Sequence, residues 1–162
     1  MNGLPVTVFA LLGLVMTGGA PGEDLPVERI RAVASTSASE LPPGSQAILS
    51  LTLELIPGAH ANSNRPADPQ LVPTTFFPAA SDQVRMGRAR YPQPTQVIEW
   101  YSVDPLSVFV SGAVIQVPFT IADEAPAGET KIGGSLRVQV CDAEMCYPTE
   151  RLPVDVRVTI VD

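Results

Sequence analysis

Alternating apolar and polar residues recur along the chain and predict β-strands separated by turns. The clearest example is QAILSLTLELI at residues 46–56, where five apolar side chains fall on one side at a period of two: Ala47, Leu49, Leu51, Leu53 and Leu55. This is the pattern of a half-buried strand. Residues 129–141 and 151–161 alternate in the same way near the end of the chain.

Shorter segments of the same kind predict the remaining strands, at residues 27–35, 83–92, 97–101, 106–112 and 113–121, with short strands near His60 and at 74–77. Pro118 is expected near a sheet edge or a bulge, since proline cannot donate to a strand ladder. Seventeen prolines and twelve glycines argue against long helices. The chain is therefore predicted to be all-β, an immunoglobulin-like antiparallel β-sandwich of about seven to nine strands.

The first twenty residues are typical of a secretory signal peptide, with an apolar run at 4–16 followed by small residues up to Ala20. A membrane span needs roughly 20 apolar residues, so the shorter run favours export, with an uncleaved anchor as the alternative. We expect a signal peptide at 1–20, a linker at 21–26 and one domain at 27–162. The protein is then periplasmic or secreted, where a close cysteine pair is oxidised at least part of the time.

Charge excludes one class of partner. The net charge is −7 and the arginines are scattered, whereas nucleic-acid binding needs clustered Lys and Arg against the phosphates. No nucleic acid is expected as a partner.

The candidate chemistry lies in CDAEMCYP, which holds both cysteines of the chain, Cys141 and Cys146. A disulfide between these two cysteines would close a very small ring. As a structural crosslink it would stabilise the folded protein by only about 2 kcal/mol by the chain-entropy estimate. A core of this size should fold without it. Thiol–disulfide exchange needs only two thiols that can approach each other, with one open to attack. Asp142 and Glu144 lie between them with no cation, and their charge raises a thiol pKa. Such a pair of thiols attacks disulfides slowly, which suits a relay of electrons within docked protein complexes.

Metal binding and hydrolysis find less support. Structural zinc needs four ligands, and the chain offers two cysteines and one histidine, His60. Copper(I) remains an alternative, with both cysteines and a thioether from Met145 or Met86. We expect His60 to be a solvated or hydrogen-bonded residue, and Cys–His hydrolysis is not expected because no histidine is close in sequence.

Three stretches carry a resemblance to a known family: GAHANSNRPADPQLVPT at 58–74, ARYPQP with LSVFVSGAVIQVPFTI within 89–121, and GGSLRVQVCDAEMCYPTERLPV at 133–154. Over residues 27–162 the chain resembles the N-terminal, immunoglobulin-like domain of the thiol:disulfide interchange protein DsbD. The last stretch is the most specific, because a strand that ends in Cys, a short acidic loop and Cys-Tyr-Pro form an uncommon combination.

The resemblance implies a thiol:disulfide oxidoreductase with a redox-active disulfide and no other cofactor. Electrons would come from a thioredoxin-like domain charged by a membrane electron carrier, and pass to isomerases and the thioredoxins of cytochrome c biogenesis. By the same match, Cys146 forms mixed disulfides and Cys141 resolves them. No membrane segment or thioredoxin domain follows residue 162, so we expect a stand-alone, monomeric protein whose electron donor is a separate polypeptide.

Family members also carry a mobile aromatic cap over the disulfide, for which Trp100 and Tyr101 are the candidates here. Tyr147 and Pro148 are expected at the rim of the site, and Asp142 and Glu144 are expected to tune the sulfurs. Two other functions stay open: a non-catalytic β-sandwich adaptor with a structural disulfide, and a copper-handling module.

Overall fold

The computed structural model describes residues 28–162, so the predicted signal peptide at 1–20, the linker at 21–26 and the first residue of the predicted domain lie outside the described residues. Within 28–162 the chain forms twelve strands and no helix. The strands are β1 Ile30–Thr36, β2 Glu40–Leu41, β3 Gln46–Leu55, β4 His60–Asn62, β5 Thr75–Pro78, β6 Val84–Met86, β7 Thr95–Val97, β8 Leu106–Phe109, β9 Val114–Ile121, β10 Gly128–Val138, β11 Val140–Cys141 and β12 Glu150–Ile160.

The described strands form three four-stranded sheets, in the orders β1-β3-β9-β6, β2-β12-β10-β5 and β11-β4-β8-β7. Neighbouring strands are antiparallel except β2 and β12, which pair in parallel. The prediction of an all-β, immunoglobulin-like sandwich is confirmed. Residues 28–162 hold more strands than the predicted seven to nine because five of them are only two or three residues long.

A single hydrophobic core joins the inner faces of the three sheets. In β3 the predicted alternation is realised, because Leu49, Leu51 and Leu53 are fully buried while the residues between them are not. Ile115 of β9, Leu136 of β10 and further apolar residues of all three sheets belong to the same buried cluster. Each fully buried Leu or Ile contributes roughly 1.5–3 kcal/mol. The sandwich is therefore held by its core, independently of the cysteine pair.

Pro118 lies within β9, opposite a bulge in the neighbouring chain segment. Met86 pairs with Phe119, but the next bridge joins Arg90 to Gln116, so one extra residue is accommodated between the two pairs. A bulge removes the need for a ladder bond from the proline nitrogen. For this reason the strand predicted at 83–92 is limited to Val84–Met86, and the remainder of that prediction was wrong.

The cysteine segment reaches its position because the chain changes sheet at Gln139. The strand predicted at 129–141 is divided there: β10 belongs to the sheet with β12, whereas β11 pairs with β4 in the third sheet. The side-chain oxygen of Gln139 accepts hydrogen bonds from Asn62 Nδ2 at 3.1 Å and from the Val72 N–H at 3.3 Å, and its Nε2 donates to the Tyr147 carbonyl at 3.2 Å. Gln139 thus anchors both ends of the cysteine hairpin to the third sheet.

Candidate redox site

Cys141 and Cys146 are joined by a disulfide across a tight hairpin, with an S–S distance of 2.09 Å and a Cα–Cα distance of 4.0 Å. Backbone hydrogen bonds flank the pair: the Tyr147 N–H donates to the Val140 carbonyl at 2.8 Å, and the Asp142 N–H donates to the Met145 carbonyl at 2.9 Å. Cys146 forms an isolated bridge with Cys141, and the next strand, β12, begins only at Glu150.

The two cysteine residues differ in exposure. Neighbouring residues of a strand point to opposite faces, and Val140 belongs to the hydrophobic core, so Cys141 points to the outer face of the sheet. Cys141 nevertheless has no exposed surface, whereas Cys146 is partly exposed. On the outer face of the sheet, Cys141 is therefore enclosed by residues that do not belong to the sheet itself.

The segment 98–103, called here the cap segment, lies against the hairpin beside Cys141. The Trp100 Nε1–H donates to the Ala143 carbonyl at 2.7 Å, and the Tyr101 hydroxyl donates to the Asp142 carbonyl at 3.2 Å. The two rings meet edge to face, with centroids 5.8 Å apart. The strand predicted at 97–101 was wrong beyond Val97, because residues 99–102 form a turn closed by a 3.0 Å bond from the Ser102 N–H to the Glu99 carbonyl. The structure thus brings both candidate cap residues onto the disulfide hairpin.

The carboxylate of Asp142 organises the hairpin. Its Oδ1 accepts hydrogen bonds from the backbone N–H groups of Glu144 at 2.8 Å and Met145 at 3.0 Å, and its Oδ2 accepts a short bond from the Tyr147 hydroxyl. These bonds, with the Tyr147 bond first among them, lower the pKa of Asp142. Asp142 therefore stays ionised beside the disulfide. Glu144 and Pro148, two other residues predicted for this site, are exposed on the hairpin and just beyond it.

Arg29 is a cation that the local sequence around the cysteines does not reveal. Its guanidinium lies over the Tyr147 ring, 3.8 Å from the centroid, and its charge also lowers the pKa of Asp142. It comes from a position more than a hundred residues earlier in the chain. No signal near the cysteines could have identified it.

His60 lies in a short strand, as predicted, but in surroundings that the sequence analysis did not foresee. It is directly opposite Cys141 in the β4–β11 pair and only 4% exposed, so the solvated alternative for this histidine was wrong. Its Nδ1 lies 3.8 Å from Glu99 Oε1 of the turn before Trp100. Burial lowers the pKa of His60, while the charges of Glu99 and Asp142 partly oppose that shift. The same two carboxylates and, above all, burial raise the pKa of Tyr101.

The family profile of the thiol:disulfide interchange protein DsbD, N-terminal, matches residues 28–157. The chain belongs to this family. The resemblance inferred from the sequence is therefore confirmed. No individual curated protein matches the chain significantly.

Two solved structures of DsbD-type domains are similar to this chain. The N-terminal domain of Neisseria meningitidis DsbD in the reduced form is 16% identical with a TM-score of 0.42, over 80% of this chain and 90% of that one. The N-terminal periplasmic domain of ScsB from Proteus mirabilis is 14% identical with a TM-score of 0.45. That match covers 81% of this chain but only 44% of the ScsB chain.

Membership of the DsbD N-terminal family establishes the general chemistry. The family takes part in thiol:disulfide exchange with other redox proteins and uses a disulfide without a further cofactor. Across residues 28–162 no three His, Cys, Asp or Glu side chains are grouped so as to hold a metal ion. The same part of the chain has no helix that could cross a membrane.

Proposed function

We propose that this member of the DsbD N-terminal family relays electrons between thioredoxin-like proteins through reversible reduction of the Cys141–Cys146 disulfide. The observation that carries the proposal is the unequal burial of two bonded cysteines at a surface hairpin, with Cys141 enclosed and Cys146 partly exposed. This asymmetry favours Cys146 as the sulfur that partners attack and Cys141 as the one that resolves the mixed disulfide.

In the reducing half-reaction, a donor thiolate attacks the Cys146 sulfur and the Cys141–Cys146 bond breaks. Cys141 leaves with the electron pair and takes up a proton. The second thiol of the donor then attacks the donor's own sulfur in the mixed disulfide, so the donor is oxidised and Cys146 is released as a thiol. In the oxidising half-reaction, the Cys146 thiolate attacks an acceptor disulfide, and Cys141 then attacks Cys146 and releases the reduced acceptor.

Charge around the hairpin favours exchange inside a docked complex. Asp142 keeps its negative charge beside the sulfurs, because the Tyr147 hydroxyl and two backbone N–H groups bind its carboxylate. This charge opposes the build-up of a second negative charge on a nearby sulfur, which disfavours reaction with stray disulfides. We therefore propose that Asp142 tunes the sulfurs, with Glu144 as a second, exposed charge.

We propose that the cap segment is a gate over the disulfide and that a docking partner displaces it. Trp100 and Tyr101 hold it on the hairpin through two hydrogen bonds to backbone carbonyls. Three large apolar side chains of the cap segment, Ile98, Trp100 and Val103, are mostly exposed, as is Met145 of the hairpin. Exposed apolar side chains grouped in this way are typical of a protein-binding surface. A partner that packs on them would lift the cap segment and uncover the disulfide, while Tyr147 and Pro148 form the rim.

We further propose that the chain works outside the cytoplasm and receives its electrons from a membrane electron carrier. The proposal draws on two observations: the apolar leader at 1–20, and two cysteines placed close enough in the fold to form a disulfide. Disulfides persist mainly outside the cytoplasm.

A trapping experiment tests the roles of the two sulfurs. The Cys141→Ser variant is loaded with thionitrobenzoate on Cys146 and mixed with a thioredoxin-like protein that keeps only its attacking cysteine. The proposal predicts a stable mixed disulfide, seen as a mass increase on a non-reducing gel, and release of coloured thionitrobenzoate. The matched Cys146→Ser variant, loaded on Cys141, should react far more slowly because its sulfur is enclosed.

Trapping by Cys146→Ser in place of Cys141→Ser would reverse the two roles. Trapping by neither variant would support the non-catalytic adaptor. Copper(I) binding by the reduced protein that disappears in both single variants would instead favour the copper-handling alternative.

A further inference from the structure

His60, Cys141 and Cys146 form a row across three adjacent chain segments. Cys141 pairs directly with His60 on one side and with Cys146 on the other. Directly opposite residues of an antiparallel pair share a face of the sheet, with β-carbons about 4.5–5.5 Å apart. The imidazole and both sulfurs therefore lie side by side on the outer face, under the cap segment.

The imidazole of His60 has one nitrogen engaged and one without a partner. Nδ1 faces the Glu99 carboxylate at 3.8 Å, and the side chain is only 5% exposed. Nε2 is buried and has no hydrogen-bond partner within residues 28–162. A carboxylate beside Nδ1 favours the proton on that nitrogen, which leaves the lone pair on Nε2. A buried acceptor without a donor is unfavourable by about 1–3 kcal/mol, so its presence in the oxidised site requires an explanation.

Reduction of the disulfide supplies the missing donor. When the S–S bond is cleaved, Cys141 becomes a thiol in an enclosed site, directly across the strand pair from His60. An S–H group is a weak hydrogen-bond donor. His60 Nε2 has no hydrogen-bond donor in the oxidised state. The Cys141 S–H, which exists only in the reduced state, would supply that donor.

We propose that His60 is the proton-transfer residue of the Cys141 sulfur. During resolution of a mixed disulfide, His60 Nε2 accepts the proton of the Cys141 thiol, and the resulting thiolate attacks the Cys146 sulfur. The Cys141–Cys146 bond forms, the electron pair leaves on the partner's sulfur, and that sulfur takes up a proton. In the opposite half-reaction the imidazolium returns a proton to Cys141 as it leaves. This deepens the proposed relay and rests on its assignment of Cys141 as the resolving sulfur.

The electrostatic surroundings fit a base that is neutral at physiological pH. The titratable groups around His60 are Glu99 and Tyr101 of the cap side, Asp142 after β11 and Cys141 itself, while the neighbouring strand β8 contributes none. Burial lowers the pKa of His60 below its ordinary value of 6.5, and the carboxylates limit the fall. The imidazole is then available as an acceptor while the Cys141 thiol is still protonated.

The test uses dithiobis-nitrobenzoate, which reports on each sulfur separately. The reduced full chain releases one equivalent of coloured thionitrobenzoate when Cys146 reacts, and a second when Cys141 resolves the adduct. Wild type is compared with His60→Gln, which keeps a hydrogen-bonding side chain of similar size but cannot take up a proton. We expect an unchanged first phase, which shows that the variant is folded and accessible, and a second phase slower by about 100-fold near neutral pH, the ordinary scale of general base catalysis.

The pH profile separates proton transfer from a structural role. In the wild type the rate of the second phase should rise as His60 loses its proton and then level off. In His60→Gln it should rise tenfold for each pH unit until the Cys141 thiol ionises by itself, where the two proteins converge. Slowing by the same factor at every pH, or no slowing, would overturn the inference. A wild-type chain that never releases the second equivalent would overturn the resolving role of Cys141 as well.

A second measurement needs no variant. His60 is the only histidine of the chain, so its ring nitrogens give an unambiguous nuclear magnetic resonance signal. The inference predicts the Nδ1–H tautomer in both states and a shift of the Nε2 resonance on reduction, when the Cys141 S–H begins to donate to it. An Nε2 resonance identical in the oxidised and reduced proteins would contradict the inference even if His60→Gln failed to fold.

Discussion

The Trp100 indole N–H donates a hydrogen bond to the Ala143 carbonyl oxygen at 2.7 Å, although 79% of the Trp100 surface is exposed. This bond joins the cap segment to the turn that connects the two cysteines. Because so little of the ring is buried, the hydrogen bond contributes much of the attachment, and a bond of this kind is worth about 0.5–1.5 kcal/mol. If the cap segment is the proposed gate, this hydrogen bond is the interaction that a docking protein would replace.

Removal of that bond should expose the disulfide. Trp100→Phe keeps an aromatic ring but lacks the indole N–H, and a loss of about 1 kcal/mol raises the open population by about fivefold. We expect the disulfide to be reduced about fivefold faster by dithiothreitol, followed by the appearance of free thiols. Ile98→Ala is the matched control, since Ile98 is equally exposed in the same segment. An unchanged or lower rate in Trp100→Phe would rule out a shielding role for Trp100.

Tyr147 should set the ionisation of Asp142. In Tyr147→Phe the carboxylate loses the hydroxyl bond that contributes most to its lowered pKa, so the pKa of Asp142 should rise toward its ordinary value of 3.8. A carboxyl group whose pKa is lower in the folded than in the unfolded chain stabilises the folded protein above the unfolded-state pKa. This stabilisation is lost as the pH falls through the folded-state pKa. The variant should therefore lose less stability on acidification. The measurement is a carboxyl carbon titration by nuclear magnetic resonance.

Tyr101→Phe is the control for this titration, because the Tyr101 hydroxyl binds the backbone carbonyl of Asp142 and not its carboxylate. The pKa of Asp142 should be unchanged in that variant. Equal shifts in the two variants would show that a general change in the hairpin, and not the Tyr147 bond, controls Asp142.

Stability should also depend on His60 in a separate pH range. Burial lowers the pKa of His60 below 6.5, so the unfolded chain binds more protons than the folded chain between the two values. The wild type should accordingly be less stable to urea at about pH 5.5 than at about pH 7.5. His60→Gln should remove most of this difference. A difference of the same size in both proteins would assign the pH dependence to other groups.

The reduced protein should remain folded. The buried cluster extends over all three sheets and does not include either cysteine, and loss of so small a ring removes only about 2 kcal/mol. Urea unfolding with and without reductant measures the change. Leu51→Ala, in the centre of β3, is the comparison and should be less stable by about 2–5 kcal/mol. A reduced chain without a cooperative unfolding transition would show that the disulfide is structural.

Local pattern predicted the strands whose alternation is uninterrupted. Ala47, Leu49, Leu51 and Leu53 of β3 follow the period of two and are buried as expected, whereas Leu55 at the end of the strand is half-buried. Prediction was wrong where tertiary contacts override the local pattern. Ile98 and Trp100 have strand propensity, yet both are exposed in the cap segment, and the segment after Met86 leaves its strand at the bulge opposite Pro118. The position of a bulge depends on pairing with a strand that is distant in the chain, and the local pattern of residues does not show that pairing.

The cysteine pair was evident from the sequence because its two members are five residues apart. Its surroundings were not, since Arg29, His60 and Gln139 reach the hairpin through strand register and sheet order. A shift of one residue in the β4–β11 register would turn His60 to the other face, and no periodic signal near His60 fixes that register. For this reason its burial beside Cys141 could only be found in the structure.

The reduction potential of the Cys141–Cys146 pair tests the central claim most directly. It is measured by equilibration of the full chain with dithiothreitol or glutathione buffers of known ratio, followed by alkylation and mass analysis of the thiols. A working exchanger is expected between about −120 and −270 mV, the range of known thiol:disulfide exchange proteins. A potential below about −300 mV, typical of structural disulfides, would contradict the relay and favour the non-catalytic β-sandwich adaptor with a structural disulfide.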